Sequence, residues 1–405
     1  MVTTTETYEL RLFDDVLARF SFGVDDPVTL HEWNPAFAAV MPAGLTLTDE
    51  GLWHWLSIRA IPHNRRFATE LCRSLGLSVN DRSGILQAGM GLSLNDSYWI
   101  APATFDGAFA DVNLYDNDFS AVLAAVAYTG VVSNLHGMTP ETPELTTNGN
   151  LRKAWRIGAD GTRVLYKGSS DDDAEYGEAR AEFLASQVAE AMGLNAVRYG
   201  LSRWSGASSL ACSTCPCFCT AEVSYAPHAL SFGESSHGAA ARTYLGRGEE
   251  EFEAYASMLV FDALILNTDR HLTNFGMLRD SRTGAWRGPA PVFDNGRSLF
   301  FNLAFDQADD FATEANFALP SWPQVTFKEQ AARMMGDVQK EQLGRLADFS
   351  FENSETFPFP EAFLDKLAAF IRQRAAQLAE LPAVSREALR EAARTRAALD
   401  VPEET

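Results

Sequence analysis

Cysteine, basic charge and long apolar runs are all scarce in this sequence, and each scarcity closes off a class of protein. Five cysteines in 405 residues, an odd number with four crowded between Cys212 and Cys219, do not make a secreted disulfide framework. Lys and Arg total 33 against 54 Asp and Glu, a formal net charge of −21. Proteins that grip nucleic-acid phosphates draw their affinity from Lys and Arg, so direct nucleic-acid binding is not expected. A basic protein or peptide partner is compatible with that charge. No apolar stretch approaches the ~20 residues that span a bilayer. The opening Met-Val-Thr-Thr-Thr-Glu lacks the basic-then-apolar order of a signal peptide. The expectation is a soluble, cytoplasmic chain with no membrane contact. No repeat with a period of about 20–50 residues is present, which excludes a solenoid.

What is present is ordinary globular composition, 46% hydrophobic and 21% charged, in a chain long enough for roughly two or three domains. Three regions are expected. In residues 1–140, Tyr8, Leu10 and Leu12 alternate before Asp14-Asp15 and a second run to Phe22, the pattern of a hairpin. Asp49 and Glu50 favour the first turn of a helix carrying Leu52, Trp53 and Leu56. A second helix is expected at 64–76, with Phe67, Leu71 and Leu75 on one face. Segments 92–99 and 113–117 are dense in Asn, Asp and aromatics. Buried turns with satisfied polar groups are the ordinary explanation, a binding loop the sharper one. Met138–Gly149 has linker composition.

In residues 141–228, Lys153–Ile157 and Thr162–Lys167 are expected to pair across the turn Gly158–Gly161. A helix is expected at 175–192 and strands at 196–204 and 209–220. In residues 229–405, helical spacing at 250–266, 327–348, 361–380 and 385–398 predicts a mostly helical unit. The expected fold class is α+β: a small β-rich lobe, a larger helical lobe and an N-terminal accessory α+β domain.

Chemistry concentrates at 267–300. Asp269 and Asn274 have four residues between them, and Asp294 is followed two positions later by Gly296. That order matches the Asp-x-x-x-x-Asn catalytic loop and Asp-x-Gly metal loop of protein kinases. There the first Asp accepts the hydroxyl proton, while the Asn and second Asp hold magnesium against nucleotide phosphates. Asp269 is thus the candidate base, and Asn274 and Asp294 the candidate Mg2+ ligands, in an ATP-dependent phosphotransferase. A capping aspartate after the preceding helix is the bland alternative for Asp269 alone. Arg270 and His271 are candidates to stabilise charge, although a histidine in such a loop more often braces the backbone. Asn295 stands where kinases carry Phe, so the switch assigned to that Phe is not carried over.

Lys167 ends the strand Arg163-Val164-Leu165-Tyr166 and suits phosphate neutralisation, with Glu178 or Glu182, one helical turn apart, as its partner. The segment Thr146–Lys153 precedes the first small-lobe strand. Its backbone around Gly149 and its Lys153 are candidates to cradle phosphate, although neither Gly-x-Gly-x-x-Gly nor the Walker pattern matches. Cys212, Cys215, Cys217 and Cys219 could bind zinc, but structural zinc sites usually pair two separated knuckles. On a strand, Cys215, Cys217 and Cys219 would share one face as small buried hydrophobes.

The sequence resembles the HipA-like serine/threonine kinases, the catalytic components of bacterial toxin–antitoxin systems. The resemblance lies in Asn-Thr-Asp-Arg-His-Leu-Thr-Asn-Phe-Gly at 267–276, Pro-Val-Phe-Asp-Asn-Gly-Arg-Ser-Leu at 291–299 and Ala-Glu-Phe-Leu-Ala-Ser at 181–186, and more weakly across 149–167. It implies a two-lobed kinase-like fold, Asp269 as base, Asn274 and Asp294 as Mg2+ ligands, and Lys167 on ATP phosphates with Glu182 as its partner. It matches Gly149 and Lys153 to the family's phosphate-loop segment. It implies a protein substrate carrying Ser or Thr, an antitoxin partner, and regulatory autophosphorylation, for which the matching loop offers Thr146 and Thr147. Phosphatidylinositol kinases share the Asp-Arg-His-x-x-Asn motif, which leaves a lipid or small-molecule phosphotransferase, or a non-catalytic binding module, as rivals.

Overall fold

A computed structural model describes residues 6–23, 27–132, 142–172, 174–205, 209–233 and 236–391. Residues 138–141 of the expected linker and 392–398 of the expected last helix lie outside the described residues.

Strands β1 (Thr7–Leu12) and β2 (Asp15–Phe22) form the expected hairpin, joined by β3 (Val28–Trp33) and β4 (Tyr98–Pro102) in the antiparallel order β3-β2-β1-β4. Leu10, Leu17 and Phe20 point from this sheet into a core. The helix Asp49–Ser57 packs over it, capped by Thr48, whose side chain accepts from the Gly51 amide. Trp55, rather than Trp53, is the buried indole of that helix. Asn113 is buried with its side-chain oxygen accepting from the amides of Tyr115 and Asp116, so 113–117 is a satisfied turn.

Next come β5 (Lys153–Ile157), β6 (Arg163–Lys167), β7 (Gly200–Arg203) and β8 (Ala211–Pro216), in the order β5-β6-β8-β7. The expected strands at 196–204 and 209–220 are shorter because pairing of β7 with β8 begins only at Gly200 and Pro216 ends β8. The helix Gly177–Met192 lies against this sheet, closed by Gly193 in the left-handed region (φ 75). The first two sheets share one core: Tyr128, Leu145, Ala154, Trp204 and Cys212 belong to the same buried cluster as Leu10 and Leu56.

The large lobe is built around the helix Glu249–Ile265, in which every residue from Tyr255 onward is buried. Helices Phe327–Met334, Asp337–Gly344 and Glu361–Ala379 follow. The single helix expected at 327–348 is broken at Met335 and Gly336, whose extended backbone restarts the chain. The sequence patterns also miss a sheet in this lobe: β9 (Val223–Pro227), β10 (Gly276–Asp280) and β11 (Trp286–Pro289), in the order β11-β10-β9. These strands are short and only partly buried, so their period-2 signal is weak. The helix expected at 64–76 runs only from Ala68 to Ser74, with Phe67 ahead of it at φ 66.

Candidate active site

Pairing register places the first two cations. Lys167 lies directly opposite Lys153 on β5 and opposite Ser213 on β8, so the three side chains share one face of the sheet. Glu182 reaches that face from the helix Gly177–Met192. Lys167 Nζ donates to Glu182 Oε1 at 2.7 Å and to Asp294 Oδ1 at 2.6 Å, and Ser213 Oγ donates to Glu182 Oε2 at 2.6 Å. Glu178 is turned elsewhere: its carboxylate accepts from the amide and hydroxyl of Ser170.

Burial pushes the Lys167 ammonium down, but the carboxylates of Asp294 and Glu182 outweigh it and hold Lys167 above the ordinary lysine range. Burial likewise pushes Asp294 up, and Lys167 with Lys153 outweighs it, leaving that carboxyl below its usual range. Lys153 is compensated less: the charges of Asp294 and Glu182 pull it up, but the opposing causes win. Burial, then the neighbouring charge of Lys167, brings it from 10.5 down to about 7. Its Nζ donates to the Asn148 carbonyl at 2.7 Å, inside the loop it closes. Gly149 has φ +94, a backbone region that L side chains rarely adopt, so the loop needs glycine there.

The loop of Asp269 and Asn274 and the loop of Asp294 are riveted together by Arg270. This buried guanidinium pairs with Asp262 in the core helix, Nε to Oδ2 and Nη2 to Oδ1, both 3.0 Å. It also donates to the carbonyls of Asn274 at 3.0 Å and Phe293 at 2.6 Å, and to Asn295 Oδ1. Asn295 is therefore a polar tie to the catalytic loop in the place where kinases carry Phe. Asn274 Nδ2 donates to the Asp269 carbonyl at 3.2 Å, fixing the two across the loop. Asp294 takes φ 57, a region open to Asp at some cost, with its amide donating to Tyr199 Oη at 3.1 Å. Gly296 lets the metal loop run against the helix, where an added Cβ would meet Glu178 Cβ at 3.1 Å.

Asp269 is half-exposed, and among the described residues its carboxylate has Arg297 Nε, at 3.9 Å, as its side-chain partner. His271 is exposed, and among the described residues its ring meets Thr273 Oγ1, 2.7 Å from Nδ1, rather than the main-chain group expected. The bracing histidine is His237, buried between Tyr255 Oη at 3.0 Å and the Arg270 carbonyl at 2.8 Å. Burial brings His237 down to about 4, so it stays neutral around neutrality. Neither Arg270 as a rivet nor His237 stood out in the sequence; the one available signal was Asp262, a carboxylate inside the apolar second half of the helix Glu249–Ile265.

Thr146 is buried, its hydroxyl donated to the Leu92 carbonyl at 2.6 Å. Thr147 Oγ1 donates to the Pro143 carbonyl at 2.6 Å. The cysteines do not form the shared strand face: β8 ends at Pro216, before Cys217 and Cys219. All five are free thiols, and among the described residues no three His, Cys, Asp or Glu side chains group as a metal cage.

No protein-family model and no curated protein matches the chain. Among solved structures, HipA of Shewanella oneidensis MR-1, in a toxin–antitoxin complex with HipB and operator DNA, aligns with a TM-score of 0.53 at 11% identity, over 91% of this chain and 97% of that one. The fold is HipA-like. The proinflammatory kinase CtkA of Helicobacter pylori also aligns, with a TM-score of 0.41 at 14% identity, over 61% of this chain and 94% of that one. The HipA-like fold bears out the two-lobed kinase-like architecture expected from the resemblance. The expectation of no direct nucleic-acid binding finds no support in that comparison, since the HipA structure contains operator DNA. No helix among the described residues is long and apolar enough to cross a membrane.

Proposed function

We propose that the chain is an ATP- and Mg2+-dependent phosphotransferase that delivers the γ-phosphate of ATP to a Ser or Thr hydroxyl of a protein. The observation that carries the proposal is Lys167 held between Glu182 and Asp294, the latter in a loop whose Phe293 carbonyl Arg270 ties to the Asn274 carbonyl, while Asn274 Nδ2 donates to the Asp269 carbonyl. An accessory structural lysine needs one carboxylate; this one joins the small lobe, the helix and the metal loop at one atom.

The donor set fits the ion. Asn274 and Asp294 offer oxygens to a hard cation, and Asp294 is held ionised. Mg2+ usually takes one or two carboxylates and completes its shell with water and phosphate, so a sparse protein set suits it. When bound, the ion supplies positive charge against the phosphate oxygens. Lys167 and Lys153 would pair with those oxygens from the sheet. The apolar cluster of Leu165, Val197, Cys215, Phe218 and Phe293 beside them offers a face for the purine. Asp269, exposed enough to meet a macromolecule, would orient the acceptor hydroxyl and take its proton as the new P–O bond forms and ADP leaves with the electrons of the broken one.

Regulation by autophosphorylation would require Thr146 or Thr147 to leave its carbonyl partner first. A protein partner of the antitoxin kind, basic enough to complement the −21 charge, would carry any contact with DNA. The test is incubation with γ-labelled ATP, Mg2+ and cell extract. Labelled protein bands are expected, falling roughly 10²–10⁴-fold with Asp269→Asn. Label in small molecules or lipid, with protein unlabelled, would replace the protein substrate by one of those classes.

A further inference from the structure

The phosphate-binding segment Thr146–Lys153 is a weak cradle by its own sequence, with Gly149 as its one glycine. Its position comes from elsewhere. Arg65, from the N-terminal region, is buried, and its guanidinium lies between the two stems of this segment. Nη1 donates to the carbonyls of Glu144 and Thr147, both at 3.0 Å; Nη2 donates to Glu144 Oε2 at 2.9 Å and to the Lys153 carbonyl at 2.5 Å. Glu144, fully buried, uses its second oxygen to accept from the Trp155 amide at 2.7 Å, and the Trp155 indole donates to Thr147 Oγ1 at 3.1 Å. Two main-chain bonds flank the clamp: the Ile61 amide to the Leu145 carbonyl at 2.6 Å, and the Arg66 amide to the Asn150 carbonyl at 2.9 Å.

We infer that Arg65 is a positioning residue for ATP, and that residues 58–66 of the N-terminal region are the outer wall of the phosphate loop. This rests on the kinase proposal above and goes beyond it by giving the N-terminal region a part in the nucleotide site. A charge partner for Glu144 needs only the carboxylate, yet three of the four Arg65 bonds go to main-chain carbonyls, on both stems. Only a planar fork with several fixed donors spans them at once; a lysine ammonium is a point. The local chain conformation agrees. Apolar spacing favours a helix from about residue 64, but the helix starts at Ala68 behind Phe67 in the left-handed region (φ 66). The turn of helix given up is the one that would hold Arg65 in the helical backbone.

The test is Arg65→Lys, which keeps the charge beside Glu144 and loses the span. The expected result is a KM for Mg-ATP raised roughly tenfold or more with kcat changed by less than about twofold, since misplacement of a binding loop weakens substrate capture. The Trp155 amide should exchange its hydrogen faster while amides of β1 and β2 keep their rates. A folded variant with wild-type KM and wild-type exchange at Trp155 overturns the inference. If the wild-type protein does not turn over ATP at all, the kinase proposal fails, while the exchange comparison still decides the clamp. If Arg65→Lys does not fold, native-state exchange of the wild type decides it: one opening should release Ile61, Arg66 and Trp155 together, and rates differing by more than roughly a hundredfold among them overturn the clamp.

Discussion

At the scale of single residues, the site is an arrangement of charge on one sheet face. Lys167 bonds two carboxylates, whereas Lys153, directly opposite, bonds a main-chain carbonyl, and its burial with the repulsion of Lys167 outweighs the pull of Asp294 and Glu182. That difference has a consequence with a definite sign. Below about pH 7 Lys153 is charged in both the folded and unfolded chain, and its burial costs stability. Above that pH the folded form sheds the proton, while the unfolded chain keeps it to lysine's ordinary 10.5, so stability rises with pH across that window. Phosphate favours the charged amine, so affinity for Mg-ATP should fall as pH rises through about 7. Titration calorimetry from about pH 6 to pH 9 should show that fall in the wild type and a flattened profile in Lys153→Met; equal slopes would remove Lys153 from the phosphate site. At this scale the motif spacing was informative. Asp269, Asn274, Asp294 and Lys167 can be picked out because chemistry constrains their types and order. Arg65 and His237 cannot, because part of their bonding goes to main-chain carbonyls, which leave no mark on sequence, and their side-chain partners Glu144 and Tyr255 are distant in the chain.

At the scale of elements, the loop of Asp269 and Asn274 is held by the helix that precedes it. Asp262 sits in the part of that helix, from Tyr255 onward, where every residue is buried, and is tolerated because Arg270 returns over it with two bonds. Removing one partner leaves the other buried and uncompensated, which typically costs about 3–5 kcal/mol. Asp262→Asn should therefore lower stability by about that amount in urea unfolding, and reduce phosphotransfer even where the protein stays folded. An effect below about 1 kcal/mol would mean the pair is not the rivet described. Element boundaries show where local rules lose to distant ones. The hairpin of β1 and β2, the pairing of β5 with β6 and the helix Gly177–Met192 follow from alternation, turn residues and helical spacing. The start of the helix at Ala68, the break at Met335 and Gly336 and the sheet of β9, β10 and β11 do not. In each case a long-range contact or a short, half-buried strand overrides a pattern read over a few residues.

At the scale of the whole molecule, composition was enough to place the chain among acidic globular proteins, and a resemblance spread over three short segments was enough to anticipate a HipA-like fold. How the N-terminal region meets the rest was not legible. Its core continues into the small lobe: Tyr128 stacks on Trp204 with ring centroids 4.2 Å apart, and Leu145, Ala154 and Cys212 lie in the same buried cluster as Leu10. A fragment beginning at residue 142 would expose that surface and lose the Arg65 clamp. It is expected to lack a cooperative thermal transition and to bind no Mg-ATP, as read by scanning calorimetry and nucleotide titration; a fragment that folds and binds normally would make the N-terminal region a detachable module.

The central claim is that the set of Lys167, Glu182, Asn274, Asp294 and Asp269 transfers phosphate. Mass spectrometry of the purified protein and its nucleotides after incubation with Mg-ATP, wild type against Asp269→Asn, tests it most directly. The account predicts ADP formation and phosphate added to the wild-type chain or an added acceptor, both nearly abolished in the variant. Equal ADP and equal phosphate in the two proteins would contradict it.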